Sequence, residues 1–102
     1  MTTAPKQLKR VGTERRMRGQ FYRPNGAYTT SSAGYLVCTF RDPDLPKQGM
    51  RFPVVPVNHG TGNGQDADAY VTVSSLNNEM RLYLTRGTCG RIDLGQISWD
   101  VD

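Results

Sequence analysis

Few residues in this chain are equipped for chemistry. His59 is the only histidine, and the cysteines are Cys38 and Cys89. A general base, a Cys–His pair or a zinc centre would need His59 beside partners, and no Cys-x-x-Cys spacing supplies them. His59 also falls in a Gly-rich loop over residues 58–68, a poor frame for a nucleophile and its base. In that loop Gly60, Gly62 and Gly64 invite a phosphate-loop reading, but no Gly-Lys-Ser/Thr ending follows and no helix pattern comes after it. Asn63, Asp66 and Asp68 offer oxygen ligands without the spacing of a calcium loop. They read as a solvated acidic loop. No carboxylates pair on neighbouring strands. The expectation is a chain that is not an enzyme and holds neither metal nor cofactor.

The charges are more informative. Net charge is +4, but its layout is uneven. Residues 1–24 carry Lys6, Lys9, Arg10, Arg15, Arg16, Arg18 and Arg23 against Glu14 alone, a balance of +6, whereas residues 25–102 balance to −2. Such asymmetry suits a segment that meets a polyanion or an acidic protein surface. Phe21, Tyr22 and Tyr28 lie close enough in sequence to stack on bases beside those cations. A second, thinner set comprises Tyr70, Tyr83, Arg81 and Thr72 with Glu79 beside them. Its simplest reading is ordinary cross-strand pairing.

The elements that must position these groups are strands. Over residues 68–85, Ala69, Val71 and Val73 alternate with Tyr70, Thr72 and Ser74; after a turn, Met80, Leu82 and Leu84 alternate with Glu79, Arg81, Tyr83 and Thr85. Period-2 alternation marks strands with one buried face. A two-residue Asn77-Asn78 turn would set Val73 opposite Leu82; a four-residue loop over 75–78 would set Val73 opposite Met80. Either keeps the apolar face whole, and a three-residue loop would break it.

Other segments follow the same logic. Residues 20–23 read as a short first strand, Pro24-Asn25-Gly26 as a turn and 28–34 as a polar loop or weak edge. Residues 35–40 read as a strand with Leu36, Cys38 and Phe40 on one face and Tyr35, Val37 and Thr39 on the other, so Cys38 is expected to be a small buried hydrophobe. Cys89 sits between glycines, and the spacing demands no disulfide. Residues 50–57 are apolar but include Pro53 and Pro56, which demotes them to an edge strand whose Phe52, Val54 and Val55 are candidates for contact with a neighbour. Over 91–101 the apolar phase flips across Gly95-Gln96, which predicts a bulge near Gly95 or two short strands. Residues 1–19 show no usable period, and Gly12 interrupts the one apolar face they offer.

At 102 residues the chain is one domain. The composition, with Gly 11 and Pro 6, suits a turn-rich β-protein. The expected fold is all-β: a small antiparallel barrel or sandwich of five to six strands over residues 20–102, with an extended basic N-terminal arm over 1–19. No apolar run stands behind the positive N-terminus and no segment nears the ~18 apolar residues of a membrane span, so the expected location is the cytosol or a particle assembled there. The layout resembles that of small accessory proteins of bacteriophage virions, such as capsid cement or decoration proteins and head–tail joining proteins. It implies a structural protein of the virion, made in the host cytoplasm, whose arm clasps neighbouring subunits in a homo-oligomer or beside other virion proteins. The alternative is an oligonucleotide-binding barrel that takes single-stranded nucleic acid.

Overall fold

Alternation over residues 68–85 builds the centre of the fold. The computed structural model describes residues 6–22, 28–57, 67–74 and 76–102, with the backbone alone at 55 and 57. Nine strands run through them: β1 (Gln7–Val11), β2 (Glu14–Arg18), β3 (Gln20–Tyr22), β4 (Tyr35–Thr39), β5 (Met50–Val57), β6 (Asp68–Val73), β7 (Glu79–Arg86), β8 (Arg91–Asp93) and β9 (Ser98–Asp100). Every pairing is antiparallel, and a single 3-10 turn, Asp42–Asp44, is the only helical element among the described residues. The all-β class expected from the sequence is the one the chain adopts.

The β6–β7 hairpin takes the wider of the two turns that keep its apolar face whole. Val73 stands opposite Met80 and Val71 opposite Leu82. The Ser74 N–H donates to the Glu79 carbonyl at 3.0 Å, closing the loop over 75–78, with Asn78 in the left-handed region at φ 63°. Val71, Val73, Met80 and Leu82 have no exposed surface.

Around this hairpin the sheet order is β3-β8-β5-β6-β7-β4, and a second sheet runs β1-β2-β9. The two are joined at a corner. β2 continues into β3 past Gly19, and β8 continues into β9 past Gly95 and Gln96, so one bent stretch pairs with another. Met17 N–H to Ile97 C=O (2.9 Å) and Leu94 N–H to Gly19 C=O (3.0 Å) bridge the bend. Ile92, Leu94, Ile97 and Trp99 are all buried despite their opposite parity. The phase flip at Gly95 is thus the corner that lets both short strands face one core. The radius of gyration, 13.4 Å, matches the ~13 Å of a globular chain of this length.

Three expectations need correction. First, residues 6–19 are not an extended arm: β1 and β2 form a hairpin laid against β9. Gly12, at φ 59°, makes the tight turn with Thr13, the glycine-first arrangement of a two-residue hairpin loop. Gly12 starts a turn here, where periodicity read an interruption. Second, Met50–Val57 is not an outermost strand but lies between β6 and β8 in the sheet order. Its first half, 50–54, pairs with β6 and its second, 55–57, with β8. Each half is bonded on one side only, which leaves room for Pro53 and Pro56 to lack an N–H. Val54 joins the core, Phe52 packs at its margin, and Val55 lies opposite Asp93. Third, β4 carries a bulge between Leu36 and Cys38. Val37 and Phe40 are buried, Leu36 is 46% exposed, and Cys38 is half-buried. The strict alternation read over 35–40 fails because an extra residue resets the phase.

Two substitutions test this packing. Val73→Asp buries an unpaired charge and should abolish the cooperative unfolding transition. Gly34, at φ 72°, has no room for a side chain: a Cβ there would stand 2.7 Å from Tyr83 Cε1 and 3.1 Å from the Leu82 carbonyl oxygen. Gly34→Ala should cost about 1–3 kcal/mol by chemical denaturation.

Candidate functional site

The N-terminal hairpin sorts its cations onto two faces. Leu8 stands opposite Met17 and Arg10 opposite Arg15, all on the side facing the body; Gln7, Lys9 and Val11 with Glu14, Arg16 and Arg18 face outward. Two arginines directly opposite one another repel. They are tolerated because one carboxylate sits between them. Asp44 accepts from Arg10 Nε at 2.7 Å and Nη2 at 2.5 Å, and from Arg15 Nε at 2.7 Å. Arg15 is buried and spends another N–H on the Gly12 carbonyl at 2.8 Å. The Asp44 backbone carbonyl accepts the Trp99 indole N–H at 2.7 Å. The Arg10 guanidinium, backed by Arg15, holds the Asp44 carboxyl down at about 2 against the opposing pull of burial. Asp44 in turn raises the pKa of Arg10.

The remaining basic residues scatter. Lys6 Nζ donates to the Val37 carbonyl at 2.7 Å and lies 4.9 Å from the centre of the Phe21 ring. Arg16 pairs with Glu14. Lys9, Arg16 and Arg18 line an open hollow of about 590 Å³ over the bend at Gly19 and Gly95. Arg23 lies outside the described residues. Phe21 is half-buried and stacks on Tyr28 at 4.9 Å, and Tyr28 meets Tyr35 edge-on at the same distance. Tyr22 stands in β3 opposite Arg91. Arg10, Arg15 and Lys6 are therefore engaged by their own chain, and the outward cations of the expected site reduce to Lys9, Arg16 and Arg18 among the described residues.

The tyrosines on the outer face of the central hairpin are also engaged. Tyr70 and Tyr83 stand opposite each other and stack at 5.3 Å between ring centres. The Arg51 guanidinium covers Tyr70 at 3.6 Å, and Gly34 lies against Tyr83. Because β6 lies between β5 and β7, Arg51 and Tyr83 cover opposite faces of Tyr70. Both faces of Tyr70 and one face of Tyr83 are thus taken, which leaves little ring here for a base to stack on.

His59, Asn63, Asp66 and the loop glycines lie outside the described residues. Among the described residues no three of His, Cys, Asp and Glu cluster to hold a metal. Both cysteines are free. Cys89 is fully buried, where apolar surroundings push its thiol up to about 11, and it bonds through its backbone to Tyr28. Burial also raises Cys38, with Lys6 pulling the other way.

Asp44 is the functional-looking residue that sequence reasoning missed. It was visible as an acidic residue locked between Pro43 and Pro46 in a body that had to receive a strongly basic hairpin. Comparison with known proteins adds no relative: no family model matches the chain, and neither a curated protein nor a solved structure matches it.

Because the folded carboxyl of Asp44 titrates near 2 and a free one near 3.8, its stabilisation is complete above pH 4 and is lost as pH falls from there through 2. Trp99, the only tryptophan, should report this as an acid transition in emission, absent in Asp44→Asn. Asp44→Ala, which strands Arg15 without its partner, should cost about 3–5 kcal/mol.

Proposed function

We propose that this chain is a non-enzymatic structural subunit that joins a larger assembly, as a homo-oligomer or beside other subunits. One observation carries the reading. Among the described residues, three of the four exposed large apolar side chains lie toward one end of the strands: Leu76 at 94% exposure, Val11 at 48% and Met50 at 37%. Met50 stands opposite Val73, next to the loop that bears Leu76. Asp100 stands opposite Glu14, next to the turn after Val11, and shares a hollow with Met50. Apolar groups exposed at strand ends and at a loop tip favour a contact that covers them.

The assembly we have in mind is a bacteriophage virion, with the chain as a capsid cement, decoration or head–tail joining protein made in the host cytoplasm. The resemblance in layout supports this: a small strand-built body with a basic N-terminal segment. The segment contributes as a docked hairpin that presents Val11, Lys9 and Arg18 outward, so removing residues 1–19 would take away two strands of the body as well as any clasp.

Binding to single-stranded nucleic acid is the second reading, favoured by Lys9, Arg16 and Arg18 around one hollow, which Glu14, the partner of Arg16, also lines. The covered faces of Tyr70 and Tyr83 weigh against it.

Sedimentation velocity over a wide concentration range separates the two. Self-association that Leu76→Asp and Met50→Asp remove is the expected result; a monomer at every concentration overturns the homo-oligomer reading. Retention on single-stranded DNA that falls linearly in log–log against salt would favour the second reading.

A further inference from the structure

Among the described residues β1 pairs only with β2, and β4 only with β7, so each sheet ends there on an edge without a backbone partner. The two edges face each other across a seam. Lys6 reaches the Val37 carbonyl at one point and Arg10 reaches Asp44 at another. Lys6 precedes Arg10 as Val37 precedes Asp44, so the edges run in the same direction, clasped by side chains where a backbone ladder would otherwise close the sheet. Between the clasps lies a cavity of about 260 Å³ floored by Leu8, Met17, Cys38 and Phe40. Its mouth carries Lys6, Arg10 and Arg41. The one carboxylate in its lining, Asp44, is 2% exposed and already accepts both neighbouring guanidinium groups.

The backbone of β4 is turned toward this seam. The Phe40 N–H donates inward to Asn78 at 2.8 Å, so antiparallel alternation points the N–H and C=O of Thr39 the other way. The Val37 carbonyl points there too, since Lys6 finds it. β4 reads Tyr-Leu-Val-Cys-Thr and carries no charge, whereas β1 carries Lys9 and Arg10, the usual protection of an edge.

We propose that the seam takes an extended segment of a partner protein in which apolar and acidic side chains alternate, added as a strand along β4. The inference rests on the assembly reading and names the chemistry of a partner. Three observations select this occupant. The cavity is smaller than the ~300–1,000 Å³ of small-molecule sites and suits a few side chains. The mouth is cationic with no exposed carboxylate, which selects acid. The outward Thr39 N–H and C=O, and the Val37 carbonyl held only by the Lys6 amine, select a strand, whose period of two sends apolar groups to the floor and acidic groups to Arg41, the exposed side of Arg10 and the released Lys6. Such a strand replaces the Lys6 clasp with a ladder bond to Val37.

Cys38 in the floor supplies the readout, because Cys89 is fully buried and silent. The full chain is labelled with a maleimide in the presence of an eight-residue peptide alternating valine and glutamate. Labelling of Cys38 is expected to slow at least tenfold at saturation. A valine–lysine peptide, and a peptide of the same composition with its glutamates in one block, should leave the rate unchanged. Arg41→Glu should lose the protection while Trp99 emission stays native. Equal protection by either control peptide, or none by the alternating one, overturns the proposal. Arg41 is distant in sequence and role from Leu76 and Met50, so self-association that persists alongside a failed peptide test sinks this inference alone.

Discussion

One carboxylate locks the first two strands, already laddered onto β9, against the turn at 42–44. Asp44 is buried, receives three hydrogen bonds from two arginines, and offers its backbone carbonyl to Trp99. Without it, Arg10 and Arg15 would face each other across β1 and β2 with nothing between them. Burying an ion cluster gains little net stability over an apolar contact of the same size, because desolvation consumes most of the attraction. What such a cluster supplies is registry. Only one setting of the hairpin places both guanidinium groups on the same carboxylate, and Pro43 and Pro46 on either side stiffen the loop that presents it.

The rest of the architecture handles two problems of small β-proteins, corners and edges. The corner is made where β2 passes into β3 and β8 into β9, with the offset at Gly95 and Gln96 letting Ile92 and Trp99 reach one core. β5 is the joint between partners, bonded to β6 along one half and to β8 along the other. This explains how a proline-bearing segment ends up inside the sheet order. The edges are treated unequally. β1 is guarded by its cations; β4 has a bulge and the amine of Lys6, but no charge of its own.

These arrangements bear on function through what they use up. Lys6, Arg10 and Arg15 are engaged within the chain, and Tyr70 and Tyr83 stack on each other, with Arg51 over Tyr70 and Gly34 against Tyr83. Groups that look like a polyanion site in sequence thus hold the fold. Among the described residues, what remains outward-facing includes apolar strand ends, the Leu76 loop tip, the uncharged β4 edge and a few cations.

Local periodicities were legible in the chain alone: the β6–β7 faces, the need for an even-residue loop between them, the break in phase near Gly95 and the all-β class. These are legible because a side chain's face in a strand depends only on its parity within a few residues. The sequence also showed the charge imbalance of residues 1–24. Tertiary structure decided where that charge went. Arg10 and Asp44 are 34 residues apart, and nothing local announces that Arg10 and Arg15 turn inward while Lys9 and Arg16 turn out. The bulge in β4 and the change of partners along β5 were likewise settled by closure of the sheet around a shared core, a constraint that exists only once distant strands have met.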